Sequence, residues 1–143
     1  MNEKFALTVS SKVRIETHYE FKKFKVKKVP LNETVHLGVL EEGEILCLAK
    51  EESSQTIRMI SYVGKRAPLH CTSLRKVLLA YLSAEERKKI LGEKVLPRLT
   101  ENTINDKKEL EKELGKVREQ DFALDREENE KDVRCVAAPI RNY

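Results

Sequence analysis

The sequence predicts an α+β fold, an antiparallel sheet flanked by helices, and three observations carry that reading. Alternating apolar residues in Thr34–Leu40 and again in Ile45–Ala49 flank the turn composition Glu41-Glu42-Gly43-Glu44. Period-two alternation on both sides of a glycine that can take positive φ marks a hairpin. The pattern then switches to helical spacing between Thr72 and Gln120. Finally, Val133–Ile140 returns to strand composition close to the C-terminus. Strands, then helices, then a strand is the order of an α+β domain.

Each element has a local cause. Val35, Leu37 and Val39 fall on one face of the first hairpin strand. Cys47 reads as a small core residue on the returning strand. Ile57–Val63 reads as a third strand closed by Gly64. Thr72 or Ser73 can cap a helix whose Leu74, Val77, Leu78 and Tyr81 form one stripe. Ser83-x-x-Glu86 is a capping box that opens a second short helix, with Gly92 to stop it. Asn105 or Asp106 can cap a third helix over Lys107–Gln120, with Leu110, Leu114 and Val117 inward and charges outward. A terminal interior strand at Val133–Ile140 would leave an unpaired edge unless another chain covers it.

Bulk properties bound the function. The 143 residues, 40% hydrophobic and 36% charged, suit one globular domain rather than a disordered chain. No apolar run approaches the roughly 20 residues of a membrane span, and no signal-peptide core is present, so the expectation is a cytoplasmic protein without a membrane partner. Cys47, Cys71 and Cys135 are widely spaced, and no C-x-x-C pair points to zinc or to a disulfide scaffold. The net charge of +4 does not by itself argue for nucleic acid. It is unevenly placed, however: Lys12, Arg14, Lys22, Lys23, Lys25, Lys27 and Lys28 face only Glu16 and Glu20, with Tyr19, Phe21 and Phe24 interleaved. Residues 12–28 read either as a basic leader or as an acidic-surface or nucleic-acid contact.

Longer motifs make the reading specific. Asp125-x-x-Glu128, six residues, then Cys135-Val136-Ala137-x-x-Ile140 and Asn142 resembles the signature of the IclR family of bacterial transcription regulators. Val63–His70 followed by Thr72–Ala80 is similar to that family's central segment, and Leu96–Ile104 to its next loop. The resemblance covers about Thr34 to Tyr143, and Ala6–Ser11 resembles the start of the family's connecting helix.

The resemblance implies a GAF-like effector-binding domain that binds a small carboxylate-type metabolite and assembles into oligomers. It implies no cofactor, no metal and no enzymatic activity. It also implies a winged helix before this segment and further strands and a helix after it. The expectation is therefore a domain without its last strands and without its own DNA-reading half. Such a module would touch DNA only indirectly, as a homo-oligomer or as a hetero-oligomer with an intact regulator, or it would be a degenerate remnant. Residues 1–32 are read as a basic leader or remnant of the connecting helix, and 33–143 as the effector-binding domain.

By position, the resemblance places the Ser73 and Leu74 N–H groups on the effector carboxylate, where the positive end of a helix favours an anion. Asp125 and Cys135 would complete one wall, with Arg75, Met59 and Val133 as pocket modifiers. Arg75, Asp121 and Asp132 stand where the family pattern has glycine. Glycine there serves positive φ or close approach, so these replacements carry strain. Arg75 either opposes the dipole of the pocket helix or reaches a bound carboxylate. Other chemistries considered are a Cys71 or Cys135 nucleophile with His70 as base, and a divalent ion on His70, Asp125 and Cys135.

Overall fold

A computed structural model describes residues 5–9, 33–55, 60–64, 66–67 and 70–141. Six strands, β1 (Phe5–Val9), β2 (Val35–Glu41), β3 (Glu44–Glu51), β4 (Arg66–Ala67), β5 (Ala123–Arg126) and β6 (Arg134–Ile140), form one sheet in the order β4-β3-β2-β1-β6-β5. Every neighbouring pair is antiparallel. Three helices, α1 (Ser73–Ala80), α2 (Ala84–Leu91) and α3 (Lys107–Gln120), follow β4. The α+β class is as the sequence predicts.

The hairpin between β2 and β3 turns on Glu42 (φ 49°) and Gly43 (φ 78°). Two successive positive φ values match the right-handed twist of the flanking strands. Thr72 caps α1, its side chain accepting from the Arg75 N–H. Ser83 and Glu86 form the complete capping box of α2, which ends at Gly92. Asp106, rather than Asn105, caps α3 by accepting from the Lys108 and Glu109 N–H groups, and Leu110, Leu114 and Val117 are its buried face.

The structure corrects the sequence reading in four places. Phe5–Val9 is a strand and not the start of a helix, and it lies between β2 and β6, paired with Val35–Val39 on one side and Val136–Ile140 on the other. These five residues therefore share a sheet with the segment after residue 33. It follows that β6 is not an open edge: β1 and β5 flank it. The sheet ends instead on the two-residue β4 and the four-residue β5, short edges that offer little template for further pairing. Of the expected strand at Ile57–Val63, the described part, residues 60–63, is not a strand, and Ile60, Tyr62 and Val63 are exposed. It runs beside β3 through Gly64 N–H to Cys47 O (2.8 Å) and Lys50 Nζ to Ser61 O (2.8 Å). In β6 only Ala137 is buried, so the strand, which begins at Arg134 rather than Val133, is half-buried.

The fourth correction concerns α1. It buries all eight of its residues, Arg75 and Lys76 included, rather than one stripe. The cause is a sheet surface of small residues. Ala6, Ala123 and Ala137 are fully buried in the core, and a Cβ on Gly38 would sit 2.6 Å from Leu74 Cδ2. A helix laid that close to a sheet, with α3 against it, has no solvent face. Met59, Ser10, Ser11, Asn142 and the basic segment 12–28 lie outside the described residues.

Candidate functional site

Asp125 and Cys135 are direct cross-strand partners on β5 and β6. Asp125 is 2% exposed, and its Oδ1 accepts from the Glu128 N–H at 2.8 Å. That bond folds the chain just beyond β5 into a turn, which Val133 closes by accepting from the Glu127 N–H at 3.1 Å. The loop before α3 clamps the same turn: Thr100 Oγ1 donates to Glu127 O and Thr103 Oγ1 to Glu128 O, each at 2.6 Å.

Beneath the turn is a buried ion pair. Lys76 Nζ, from α1, lies 2.6 Å from Glu128 Oε1 and 4.0 Å from Glu113 Oε1 of α3. The Lys76 side chain is fully buried. Glu128 Oε2 is also buried and has no hydrogen-bond partner among the described residues. Neither the resemblance nor helix periodicity gave Lys76 or Glu128 a role. The available signals were a lysine between Leu74 and Val77 on an otherwise buried helix, and the glutamate of the Asp125-x-x-Glu128 motif.

Burial dominates the electrostatics. Removal from water, reinforced by the neighbouring Glu128 charge, pushes the Asp125 carboxyl up to about 6. Burial pushes the Cys135 thiol up to about 12 and the Cys71 thiol up to about 11, in both cases with Asp125 adding to the effect. Cys71 Sγ donates to Asn129 Oδ1 at 3.3 Å. His70 Nε2 is held by Pro97 O at 2.8 Å, and burial lowers its pKa. These facts remove the cysteine-nucleophile reading. Neither thiol is poised to ionise near neutrality, and the His70 nitrogen that would act as base is engaged elsewhere. Among the described residues, no three His, Cys, Asp or Glu side chains are grouped so as to hold a metal ion.

Asp125, Glu128 and Cys135 line a cavity of about 1080 Å³, with Glu113 and Lys116 of α3 on its other side. Ser73 and Leu74 are buried and are not among its lining residues. Ser73 and Leu74 carry the first two N–H groups of α1, at the positive end of the helix. That end adjoins the acidic turn through Cys71, which feels the charges of both Asp125 and Glu128.

Arg75 is tied to the β2–β3 hairpin. Its guanidinium is fully buried and Nη2 donates to Gly43 O at 2.5 Å, in the β2–β3 turn. Burial pulls its pKa down to about 9, so it stays charged at neutrality. Val133 is half-buried and serves the turn through its backbone. Two of the three residues standing in place of glycine do hold positive φ, Asp121 at 63° and Asp132 at 64°.

Residues 13–143 match the family model described as the C-terminal domain of the bacterial transcriptional regulator IclR. The transcriptional regulator KdgR of Dickeya chrysanthemi is 44% identical over 108 residues, which are 76% of this chain and 35% of that protein. The solved C-terminal domain of Escherichia coli KdgR superposes with a TM-score of 0.64 at 31% identity, covering 78% of this chain and 73% of that one. The inducer-binding domain of PobR from Acinetobacter, solved with 3-hydroxybenzoic acid, superposes at 0.59 with 28% identity, covering 76% and 73%. The chain thus spans well under half the length of the full-length regulators it matches. Those relatives are regulators of transcription and not enzymes. Among the described residues no helix is long and apolar enough to cross a membrane.

Proposed function

The chain belongs to the IclR family of bacterial transcriptional regulators, as its C-terminal regulatory domain, and from that premise we propose that it binds a small carboxylate-bearing metabolite between the start of α1 and the β5–β6 turn. One observation carries the proposal: Asp125 and Cys135 face each other across two strands on the wall of a cavity, and Lys76 of the buried helix α1 is tied to Glu128 of the turn beyond β5. In this reading the Ser73 and Leu74 N–H groups receive the carboxylate and need no dedicated cation. Asp125 and Cys135 contact the remainder of the ligand. A PobR domain solved with a hydroxybenzoic acid is a relative that holds a ligand of this kind.

The module acts in the cytoplasm as an oligomer, with itself or with an intact regulator. It contributes to the regulation of transcription as the regulatory domain of its family. Residues 33–143 form the effector-binding unit, to which β1 contributes a strand.

The test is a thermal-shift screen of the protein with glyoxylate, pyruvate and their hydroxy analogues. A ligand at 100 times its Kd stabilises by about 2.7 kcal/mol. Asp125→Ala should abolish the shift. A shift that persists unchanged in that variant refutes the pocket assignment, and no shift with any acid refutes the carboxylate-binding reading.

A further inference from the structure

We propose that the outer edge of β5 is a pairing surface for the β5 strand of a second copy of this chain, and that the side-chain amides of Asn102 and Gln120 hold it closed. The inference is independent of the effector reading and concerns how the sheet ends.

The ladder fixes which backbone groups face outward. Strands β5 and β6 pair as Asp125↔Cys135 and Arg126↔Arg134, and the Glu127 N–H reaches Val133 O at 3.1 Å. In an antiparallel pair, hydrogen-bonded and non-hydrogen-bonded positions alternate. Ala123, Asp125 and Glu127 therefore turn their backbone groups toward β6, and Phe122, Leu124 and Arg126 turn theirs away from the sheet. Because β5 is the last strand on that side, the outward groups form an open edge, the kind of template on which another strand can pair.

Side chains already occupy two of the three outward carbonyls. Gln120 Nε2 donates to Phe122 O at 2.8 Å, and Asn102 Nδ2 donates to Arg126 O at 3.3 Å. One donor is the last residue of α3 and the other lies in the loop before that helix, so the two reach β5 from opposite ends of α3. Each amide sits where the N–H of an incoming strand would have to be. That is how natural sheets blunt an edge they cannot cover. Asn102, Gln120, Leu124 and Arg126 all line the cavity beside β5, which leaves room along the edge.

The edge is complementary to itself in one register. A two-fold axis through Leu124 sets that residue against its counterpart and sets Arg126 opposite Phe122 in both halves. Phe122 is 37% exposed, and a guanidinium across from an aromatic ring is a favourable cross-strand pair. Moving the axis to Arg126 would instead oppose two guanidinium groups, which is unfavourable. The charge pattern thus selects the second copy and its register together.

Sedimentation equilibrium of the full chain compares wild type, Asn102→Ala/Gln120→Ala, and that double variant with Leu124→Pro added. Removing both amides should tighten self-association roughly tenfold or more relative to wild type, because their two hydrogen bonds no longer compete with the incoming strand. Leu124→Pro should return it to the wild-type level. The N–H it removes points away from β6, so pairing within the chain is kept. Leu124→Cys locates the contact: on mild oxidation, a disulfide between the two introduced thiols should form faster without the amides than with them. Unchanged association after removal of both amides, or an increase that Leu124→Pro leaves in place, overturns the proposal. So does a disulfide at position 124 that forms equally in both backgrounds. If the proline variant does not fold, the disulfide comparison decides on its own.

Discussion

Lys76→Met is the perturbation whose outcome the structure constrains most tightly. The ammonium and the Glu128 carboxylate lie 2.6 Å apart, with side chains 0% and 8% exposed. At an effective dielectric of about 20, that separation corresponds to roughly 6 kcal/mol of gross attraction. Removing both charges from water costs several kcal/mol per ion, so the pair is close to neutral as a net contribution. Deleting one partner is not neutral. It leaves Glu128 buried and charged, and the hydrogen bonds that hold the turn, made by its backbone and by Asp125, Thr100 and Thr103, do not neutralise that charge. Breaking a buried pair in this way costs about 3–5 kcal/mol. In a chain of this size the midpoint should fall on the order of 10–20 °C. Methionine keeps the length and volume of the lysine stem, so packing loss is a minor part of the effect. Urea denaturation of wild type, Lys76→Met and Lys76→Met/Glu128→Leu gives the needed comparison. The double variant should recover most of the loss. A single variant within about 1 kcal/mol of wild type would refute the buried-pair reasoning, as would a double variant no better than the single.

Two further outcomes follow from the backbone and from Asp125. Asp132 holds φ 64° in the β5–β6 turn, so Asp132→Gly should stabilise by about 0.5–1 kcal/mol in denaturant titration. Asp121→Gly should not, because Asp121 accepts from Tyr81 Oη and from Arg141 as well as holding positive φ. A loss of stability in Asp132→Gly would show that the left-handed conformation is not strained there. Asp125 has its folded pKa raised to about 6, against an ordinary value near 4. Its folded state therefore binds the proton more tightly than its unfolded state. The associated stability is complete below about pH 4 and is lost as pH rises toward about 6. Midpoints of wild type and Asp125→Asn measured from pH 4 to 7 should diverge in that window, with the asparagine variant relatively more stable at pH 7. Parallel curves would show that Asp125 is not desolvated in the folded protein.

The elements legible in the sequence are those whose causes are local. The turn at Glu42-Gly43, the capping box at Ser83 and Glu86, and the stripe Leu110, Leu114, Val117 each lie within a dozen residues, and each is found where spacing puts it. What escaped was non-local. Strand β1 is five residues whose identity as a strand comes from partners more than 25 positions away on one side and over 120 on the other. A short apolar run such as Phe5–Val9 is equally compatible with a helix start until a gap between two strands claims it. Lys76 and Glu128 are 52 positions apart. Periodicity assigns a lysine to the solvent side of a helix because most helices have one.

The missing solvent side of α1 connects these failures to function. Small residues at Ala6, Gly38, Ala123 and Ala137 come from four different strands, and only their assembly brings the sheet close enough to bury α1 completely. Once α1 is buried, its polar residues must be satisfied inside. Arg75 reaches Gly43 O and Lys76 reaches Glu128. The first tie pins the helix to the β2–β3 hairpin and the second pins it to the turn that carries Asp125. Buried polar ties of this kind specify one arrangement of elements more than they add stability. Here the arrangement they specify is the seating of α1 between the β2–β3 hairpin and the turn beyond β5. The glycine-to-arginine departure at position 75, which from the sequence is a threat to an anion site, therefore acts in the structure as a second anchor for α1.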